Sequence, residues 1–291
     1  MTTVGTGEFT YEPIMDWAKL PEGETFETVS AVATDSQDRV YAFQRKDPPV
    51  MIFDRDGNLL DSWGNGAFEF AHGIHIADDI IYVTDRNTSV CIMYTLDGKP
   101  IQMLGRHGVH SDTGCENPGD LCPRAAGPFN YPSEMVPSPS GDLYVSDGYR
   151  NARVHRFTAD GELKQSWGQP GKTEPRHFHL PHSLLVDNDS TVFVCDRENH
   201  RIQVFDGDGE FQSIWTDIQR PMDISEGNVV SRELALIRVK ANVQTRSEIM
   251  QMVGIFRANI VDVAPDSLII EVTGDEDKVD SLQELLRSFG V

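Results

Sequence analysis

The sequence has few positive charges. It contains 25 lysine and arginine residues against 46 aspartate and glutamate residues, so the formal net charge at pH 7 is −21. A protein that binds nucleic acid usually carries a basic patch that displaces counterions from the phosphates. The acidic composition therefore argues against nucleic acid as a partner and is typical of a soluble protein with a negatively charged surface.

The sequence also lacks long hydrophobic runs and a recognisable leader. No apolar stretch approaches the about 20 residues that a helix needs to cross a bilayer. Residues 1–13 contain neither the basic region nor the apolar region of a secretory signal. We therefore expect a cytoplasmic protein that has no membrane partner.

Cysteine is scarce, with four residues in 291. Cys91 and Cys195 lie inside strand patterns and are expected to be small buried hydrophobic residues. Cys115 and Cys122 enclose the loop CENPGDLC and could form a disulfide in an oxidising compartment. A zinc finger is not expected there, because no second pair of ligands follows at the required spacing. The sequence leaves the state of the Cys115–Cys122 pair open.

The first 218 residues repeat one pattern four times: two strands, an Asp-Gly turn and a further strand. The apolar strands that anchor the copies are Val40–Arg45, Ile81–Arg86, Leu143–Gly148 and Val192–Arg197. Units that recur about every 40 to 65 residues with this pattern are typical of β-propeller blades. We predict an all-β propeller with blades at residues 27–64, 65–105, 128–168 and 177–218, and a partial fifth blade that starts at Gln219–Ser225.

After Ser225 the pattern changes to a small α+β arrangement. Glu233–Ala241 alternates as a strand, and Ser247–Phe256 has helical spacing of Ile249, Met250, Val253 and Phe256. Asn259–Gly274 predicts two strands around a turn at Pro265-Asp266, and an amphipathic helix follows with Leu282, Leu285 and Leu286 on one face. The order βαββα is typical of ferredoxin-like domains, although a closing strand is not present before Val291. We therefore predict two domains, an incomplete propeller at 1–226 and an α+β domain at 227–291.

Several stretches of the first domain resemble the NHL-repeat propellers of the peptidylamidoglycolate lyase (peptide α-amidating lyase) family. They are Val29–Arg45, Ala71–Ile76, Val145–Phe157, Leu180–Asp187 and Cys195–Asp206. The resemblance implies a six-bladed propeller, of which about four blades and part of a fifth are present. It also implies cleavage of a peptidyl-α-hydroxyglycine to a peptide amide and glyoxylate, with a peptide as substrate.

The resemblance further implies a set of site residues. It places His72 and His182 on two of three zinc ligands, and Tyr149 and Arg45 on a catalytic tyrosine and a catalytic arginine. The backbone carbonyls of Val32 and Ile74 would bind a structural calcium ion. Three imidazoles leave zinc one open position for substrate.

The third zinc ligand of the family has no counterpart here. Met222 stands where a histidine could have served, and a thioether is a poor ligand for zinc. His177 and His179 are possible substitutes, whereas His75, His107, His110, His155 and His200 are assigned to surface or turn roles. Each candidate also has an ordinary interpretation: His72 as a turn residue, Tyr149 as a packing residue, and Arg45 as the partner of an acid.

Residues 231–291 resemble the C-terminal domain of the acetolactate synthase small (regulatory) subunit. The stretches that carry the resemblance are RELALIRVKA and the whole of Ser247–Gly290. They imply contact with the synthase large subunit in branched-chain amino-acid biosynthesis. The ACT domain that binds the feedback ligand in that family is missing, so valine sensing is not expected.

Three functions are compatible with this fusion. The first is a zinc-dependent lyase impaired by loss of its last blades, and the second is a non-catalytic binding or regulatory protein. The third is a chimeric reading frame without a joint function. An incomplete ring should expose apolar blade faces unless the chain forms a homo-oligomer. The lyase hypothesis requires that His72 and His182 converge on one channel.

Overall fold

The protein forms two compact units, residues 1–225 and 226–291, in a computed structural model. The structure describes residues 4–6, 9–225, 233–242, 245–256, 258–264, 266–274, 276–287 and 289–290.

The first unit contains four antiparallel sheets of four consecutive strands each, which confirms the predicted blades. Blade 1 comprises Val29–Thr34, Val40–Gln44, Val50–Phe53 and Leu59–Trp63. Blade 2 comprises Ala71–Ala77, Ile80–Asp85, Val90–Thr95 and Pro100–Gly105. Blade 3 comprises Pro132–Pro137, Leu143–Asp147, Arg153–Phe157 and Leu163–Trp167. Blade 4 comprises Pro181–Val186, Val192–Asp196, Arg201–Phe205 and Phe211–Trp215.

Three short elements complete the first unit. Val4–Thr6 pairs with Phe9–Tyr11 in an antiparallel hairpin, and Gln169–Pro170 pairs with His177–Phe178 in parallel. A single 3₁₀ turn at Arg197–Asn199 follows the second strand of blade 4. These elements connect or flank the blades, and none of them is a further four-stranded blade.

Tryptophans at the ends of blades explain why glycine occupies the turns. A Cβ atom on Gly98 of blade 2 would meet the ring of Trp63 of blade 1 at 2.6 Å. The same contact recurs between Gly209 and Trp167, where the distance would be 2.8 Å. Both glycines have positive φ angles, which a residue with a side chain adopts at a cost. The Asp-Gly turn of one blade therefore packs on the last strand of the preceding blade.

The core of the first unit lies between neighbouring blades. One apolar cluster joins blades 1 and 2, a second joins blades 2 and 3, and a third joins blades 3 and 4. In blade 1 the buried strand Val50–Phe53 packs Val50 and Ile52 toward blade 2, and Met51 and Phe53 toward the lead-in segment. This packing orients the first strand of each blade toward a common interior, where the candidate site lies.

The expectation that the terminal blade faces would be exposed holds only in part, because other segments of the chain cover some of their apolar residues. Trp17 and Phe26 of the lead-in segment pack on Phe53 of blade 1, with ring centroids 5.8 and 5.9 Å apart. On blade 4, Ile218 and Ile224 cover a cluster of Cys195, Ile202 and Val204. The chain therefore covers part of each apolar face itself, whereas Trp215 at the end of blade 4 stays 43% exposed.

The predicted first strand of a fifth blade is also wrong over Pro221–Ser225, which forms no strand. Among the described residues no second strand is available to pair with this segment. Its main contacts are instead with blade 4, where Ile224 packs on the sheet and Ser183 Oγ donates a 2.6 Å hydrogen bond to Asp223 Oδ1.

All four cysteines are free thiols. Cys91 and Cys195 are completely buried, as predicted. Cys115 Sγ and Cys122 Sγ lie 3.8 and 3.9 Å from the same backbone oxygen, that of Asp120. The two thiols are thus close together inside a folded loop.

The second unit has the predicted order βαββα. Its elements are Glu233–Lys240, Arg246–Ile255, Asn259–Val263, Ser267–Gly274 and Glu276–Arg287. The last strand lies between the other two and pairs antiparallel with both. Ile249 and Val253 of the first helix are buried, as are Leu282 and Leu286 of the second.

One residue of the second unit differs from the sequence prediction, and another lies outside the described residues. Met250 is 55% exposed, because it follows the buried Ile249 and so faces away from the core. Pro265, expected in the turn, lies outside the described residues. In the part of the chain that the structure describes, no helix is both long enough and apolar enough to cross a bilayer.

Candidate functional site

The two candidate zinc ligands occupy the same place in two blades. His72 and His182 are each the second residue of the first strand of their blade, blade 2 and blade 4. In both strands the histidine lies inside a shift of the pairing register, between Ala71 and Ile74 and between Pro181 and Leu184. A bulge of this kind turns a side chain out of the regular ladder. Equivalent bulges therefore direct both imidazoles to the interior of the unit.

Tyr149 joins the two histidines. It follows the second strand of blade 3, and its Oη lies 3.1 Å from His72 Nε2 and 3.1 Å from His182 Nε2. The centroids of the two imidazole rings are 5.0 Å apart. The structure thus brings together three side chains from three blades.

Backbone carbonyls determine the tautomer of both histidines. His72 Nδ1 lies 2.8 Å from Ser133 O, and His182 Nδ1 lies 2.6 Å from Met222 O. A carbonyl oxygen only accepts hydrogen bonds, so each Nδ1 carries a proton and each Nε2 carries a lone pair. The phenol of Tyr149 has one proton and can donate to only one Nε2. The other lone pair has no donor among the described residues.

Both imidazoles are neutral at physiological pH. Burial, together with the charge of His182, lowers the pKa of His72 from 6.5 to about 3. Burial, together with the charge of Arg197, lowers the pKa of His182 from 6.5 to about 4. A neutral imidazole with a free Nε2 lone pair is the form that binds a metal ion.

Three arginines surround this group, of which the resemblance identifies only Arg45. The Arg45 guanidinium lies 4.0 Å from the Phe70 ring centroid, and its Nε donates to Ala71 O at 3.3 Å. Arg86 lies 4.7 Å from the Tyr149 ring centroid, and Arg197 Nη1 donates to Tyr149 Oη at 3.3 Å.

Arg86 and Arg197 could have been found from the repeat itself. Arg45, Arg86 and Arg197 end the stretches VYAFQR, IYVTDR and VFVCDR, and the copy in blade 3 ends LYVSDG before Tyr149. Equivalent positions in radially arranged blades lie around the same interior. The arginine that ends three of these stretches is therefore expected at the site in each of the three blades.

The two predicted calcium ligands lie on neighbouring strands. Val32 belongs to the first strand of blade 1 and Ile74 to the first strand of blade 2. The side chain of Val32 is 63% exposed, whereas that of Ile74 is buried. Calcium binding by their carbonyl groups stays a prediction. Within the described ranges, no three His, Cys, Asp or Glu side chains are grouped to hold a metal ion.

The surface or turn role assigned to His155 is wrong. Its side chain is completely buried, and its Nε2 lies 3.2 Å from Asp147 Oδ2 while Nδ1 lies 2.7 Å from Ser166 Oγ. Gln203 has the equivalent place in blade 4, where its Nε2 donates to Asp196 Oδ2 at 3.0 Å. His155 therefore holds the aspartate at the end of a blade strand.

His179 also has a partner within the fold. Its Nε2 lies 3.1 Å from Gly119 O. That contact occupies one of its two ring nitrogens, and no described contact brings His179 to His72 or His182, so a role as third ligand stays a prediction.

Comparison with known proteins separates the chain at the boundary between the two units. Residues 178–205 match the family model of the NHL repeat, and residues 232–291 match that of the small subunit of acetolactate synthase. The human NHL repeat-containing protein 3 is 31% identical over 225 residues, which cover 73% of this chain and 61% of that protein. The chain is thus similar to NHL-repeat proteins before this boundary and to acetolactate synthase small subunits after it.

Two further relatives represent the two parts. A probable peptidyl-alpha-hydroxyglycine alpha-amidating lyase of Caenorhabditis elegans is 30% identical to the NHL-repeat region over 159 residues, covering 54% of this chain and 42% of that protein. A probable acetolactate synthase small subunit of Archaeoglobus fulgidus is 55% identical to the other segment over 69 residues, covering 24% of this chain and 43% of that protein. The chain thus spans less than two thirds of each of these relatives.

Proposed function

We propose that the NHL-repeat region binds a divalent transition-metal ion, zinc by preference, and cleaves a peptidyl-α-hydroxyglycine to a peptide amide and glyoxylate. The observation that carries this proposal is the convergence of His72 Nε2 and His182 Nε2 on Tyr149 Oη, each at 3.1 Å. Similarity to a probable amidating lyase supports the same chemistry.

The residues present fit a metal ion through two neutral imidazoles. One Nε2 lone pair lacks a donor, and a metal ion would satisfy it. When bound, the ion would polarise the hydroxyl oxygen of the substrate as a Lewis acid. Because the described residues supply two such ligands where catalytic zinc sites usually have three, we propose weak metal binding and an impaired activity.

Tyr149 is the residue that moves the proton in this proposal. The reaction breaks the bond between the amide nitrogen and the α-carbon, converts the α-hydroxyl into the aldehyde of glyoxylate, and protonates the nitrogen. Tyr149 Oη can accept the hydroxyl proton and return it to the nitrogen. Arg197 Nη1 donates to Tyr149 Oη at 3.3 Å and so orients the hydroxyl group, and Arg45 binds the carboxylate of the substrate.

A zinc-binding measurement tests the proposal. Calorimetric titration of the full chain should give one zinc ion per chain, and His182→Ala should abolish that binding. His107→Ala, which alters an exposed histidine in a loop, is the matched control and should bind as the unaltered chain does. Glyoxylate release from N-benzoyl-α-hydroxyglycine should follow zinc occupancy. Equal zinc binding by the chain and by His182→Ala would refute the site.

For the second unit, we propose contact with a catalytic subunit of acetolactate synthase. The 55% identity to an archaeal small subunit and the apolar core of the βαββα fold support this candidate. Affinity capture of a purified synthase large subunit by the full chain tests it. A chain that ends at Ser225 should capture none, and equal capture by both chains would contradict the proposal.

A further inference from the structure

Two arginines at the candidate site have no acidic partner. Arg45 and Arg86 lie 4.0 and 3.7 Å from the centroid of the same ring, that of Phe70. Neither forms an ion pair with any carboxylate in the described part of the chain, although the protein carries a net charge of −21. Arg197, by contrast, is neutralised by Glu198, whose Oε1 lies 2.9 Å from its Nε.

The positive charge of this pair is costly in the absence of an anion. Burial lowers the pKa of Arg86, and the like charge of Arg45 lowers it further. A bound anion would offset the repulsion between the two guanidiniums. It would also accept hydrogen bonds from N–H groups that burial has separated from water.

The contacts of each guanidinium leave donors for a ligand. Asn87 Oδ1 accepts from Arg86 Nε and Nη2, at 3.1 Å each, and Tyr149 also hydrogen-bonds the guanidinium, so a ligand would share the remaining donors with Tyr149. Ala71 O accepts from Arg45 Nε, so the two Nη atoms of Arg45 are not used in that bond. Stacking on Phe70 and on Tyr149 holds the Arg86 guanidinium in place.

We propose that Arg45 and Arg86 together select a ligand with two carboxylates, one at its C-terminus and one on the side chain of the preceding residue. In this arrangement Arg45, next to His72, binds the terminal carboxylate, and Arg86 binds the side-chain carboxylate. A ligand with one carboxylate would neutralise only one of the two guanidiniums. The inference rests on the proposed lyase function and names its substrate class, peptides in which an acidic residue precedes the α-hydroxyglycine.

Two stable ligands that differ in one group test this selection. N-acetyl-Glu-Gly has both carboxylates, and N-acetyl-Gln-Gly replaces the side-chain carboxylate by an amide of nearly the same shape. Calorimetry on the full chain should show about tenfold tighter binding of N-acetyl-Glu-Gly, as expected for one charge-assisted contact. Arg86→Gln should remove this preference and leave the affinity for N-acetyl-Gln-Gly unchanged.

A matched control separates a specific contact from a general loss of positive charge. Arg176→Gln removes an arginine that is 38% exposed and pairs with Glu210, and it should keep the tenfold preference. Equal affinities for the two ligands in the unaltered chain would overturn the inference. So would binding of neither ligand, or a loss of affinity for both ligands in Arg86→Gln, which would mean that the two arginines share one carboxylate.

Failure of the lyase proposal would give a different experimental result from failure of the ligand selection. The two ligands lack the α-hydroxyl group and are not turned over, so their binding reports the charge preference alone. Absence of glyoxylate release, with the tenfold preference intact in the chain and lost in Arg86→Gln, would refute the reaction and leave the ligand selection standing.

Discussion

Tyr149 Oη lies 3.1 Å from His182 Nε2, and the same oxygen is equally close to His72 Nε2. The two imidazoles come from different blades, and each is held by a backbone carbonyl on its other nitrogen. A phenol can donate to only one of them. The lone pair of the other imidazole is therefore left without a partner among the described residues, and in our proposal a metal ion would satisfy it.

Tyr149→Phe should separate metal binding from proton transfer. Zinc affinity should change little, because both imidazole ligands remain. The rate of glyoxylate release should fall by about 10²-fold or more, since positioned proton transfer usually contributes that much. Steady-state kinetics and zinc titration of the same preparation provide the two measurements.

Tyr131→Phe is the control for this change. Tyr131 belongs to the same cluster of aromatic and arginine side chains, and Arg86 lies 5.6 Å from its ring centroid. No hydrogen bond of its hydroxyl is present among the described residues. A rate loss in Tyr131→Phe equal to that in Tyr149→Phe would argue against proton transfer by Tyr149.

A partly buried glutamate should make the stability of the first unit depend on pH. Desolvation of the carboxyl group, together with the negative charge of Asp223, raises the pKa of Glu134 from 4.5 to about 8. Between pH 4.5 and 8 the folded chain therefore keeps a proton that the unfolded chain has released. The free energy of unfolding must then fall as the pH rises through this range.

Glu134→Gln should remove this dependence. The variant should be more stable than the unaltered chain at pH 7, on the order of 3 kcal/mol, and the two should be equal near pH 4. Urea unfolding followed by the fluorescence of the four tryptophans, all in the first unit, measures the difference. Glu162→Gln changes an exposed residue of blade 3 and should leave the profile as it is. Parallel profiles for the chain and for Glu134→Gln would contradict the shift.

The blades were predictable because their signals are local. Alternating apolar residues and Asp-Gly turns specify each sheet within about 40 residues, and the equivalent positions of His72 and His182 follow from the repeat. The same equivalence extends to Arg86 and Arg197. They were overlooked because an arginine that ends a strand is also compatible with an ordinary surface ion pair.

Contacts between distant segments were not predictable in this way. The covering of Phe53 by Trp17 and Phe26 depends on a lead-in segment without a repeat. The burial of His155 depends on which face of its strand meets Asp147, and alternation alone does not reveal it. The segment Pro221–Ser225 has the sequence of a first strand but, in the described chain, no neighbour with which to pair.

His155 offers a test of the equivalence between blades. His155→Gln places the blade 4 residue type in blade 3 and can still donate to Asp147. It should cost about 1 kcal/mol or less, whereas His155→Ala leaves a buried carboxylate with one donor fewer and a cavity, at a cost of about 2–4 kcal/mol. Urea unfolding gives both values. Equal losses in the two variants would show that the ring itself, rather than the donor, is required.

Two glycine variants can separate the energetic cost of a steric contact with Trp63 from the cost of placing a side chain at a positive φ angle. Gly98 has φ +77°, and a Cβ there would meet Trp63 at 2.6 Å, whereas Gly66 has φ +70° and nothing within 4 Å of a Cβ. Gly66→Ala should therefore cost only the left-handed conformation, about 1 kcal/mol. Gly98→Ala should cost that amount and a further 1–3 kcal/mol, because the added methyl group displaces the Trp63 ring. Thermal or urea unfolding compares the two variants directly. If both lose the same stability, the packing of blade 2 on blade 1 does not depend on this contact, and Trp63 has another role.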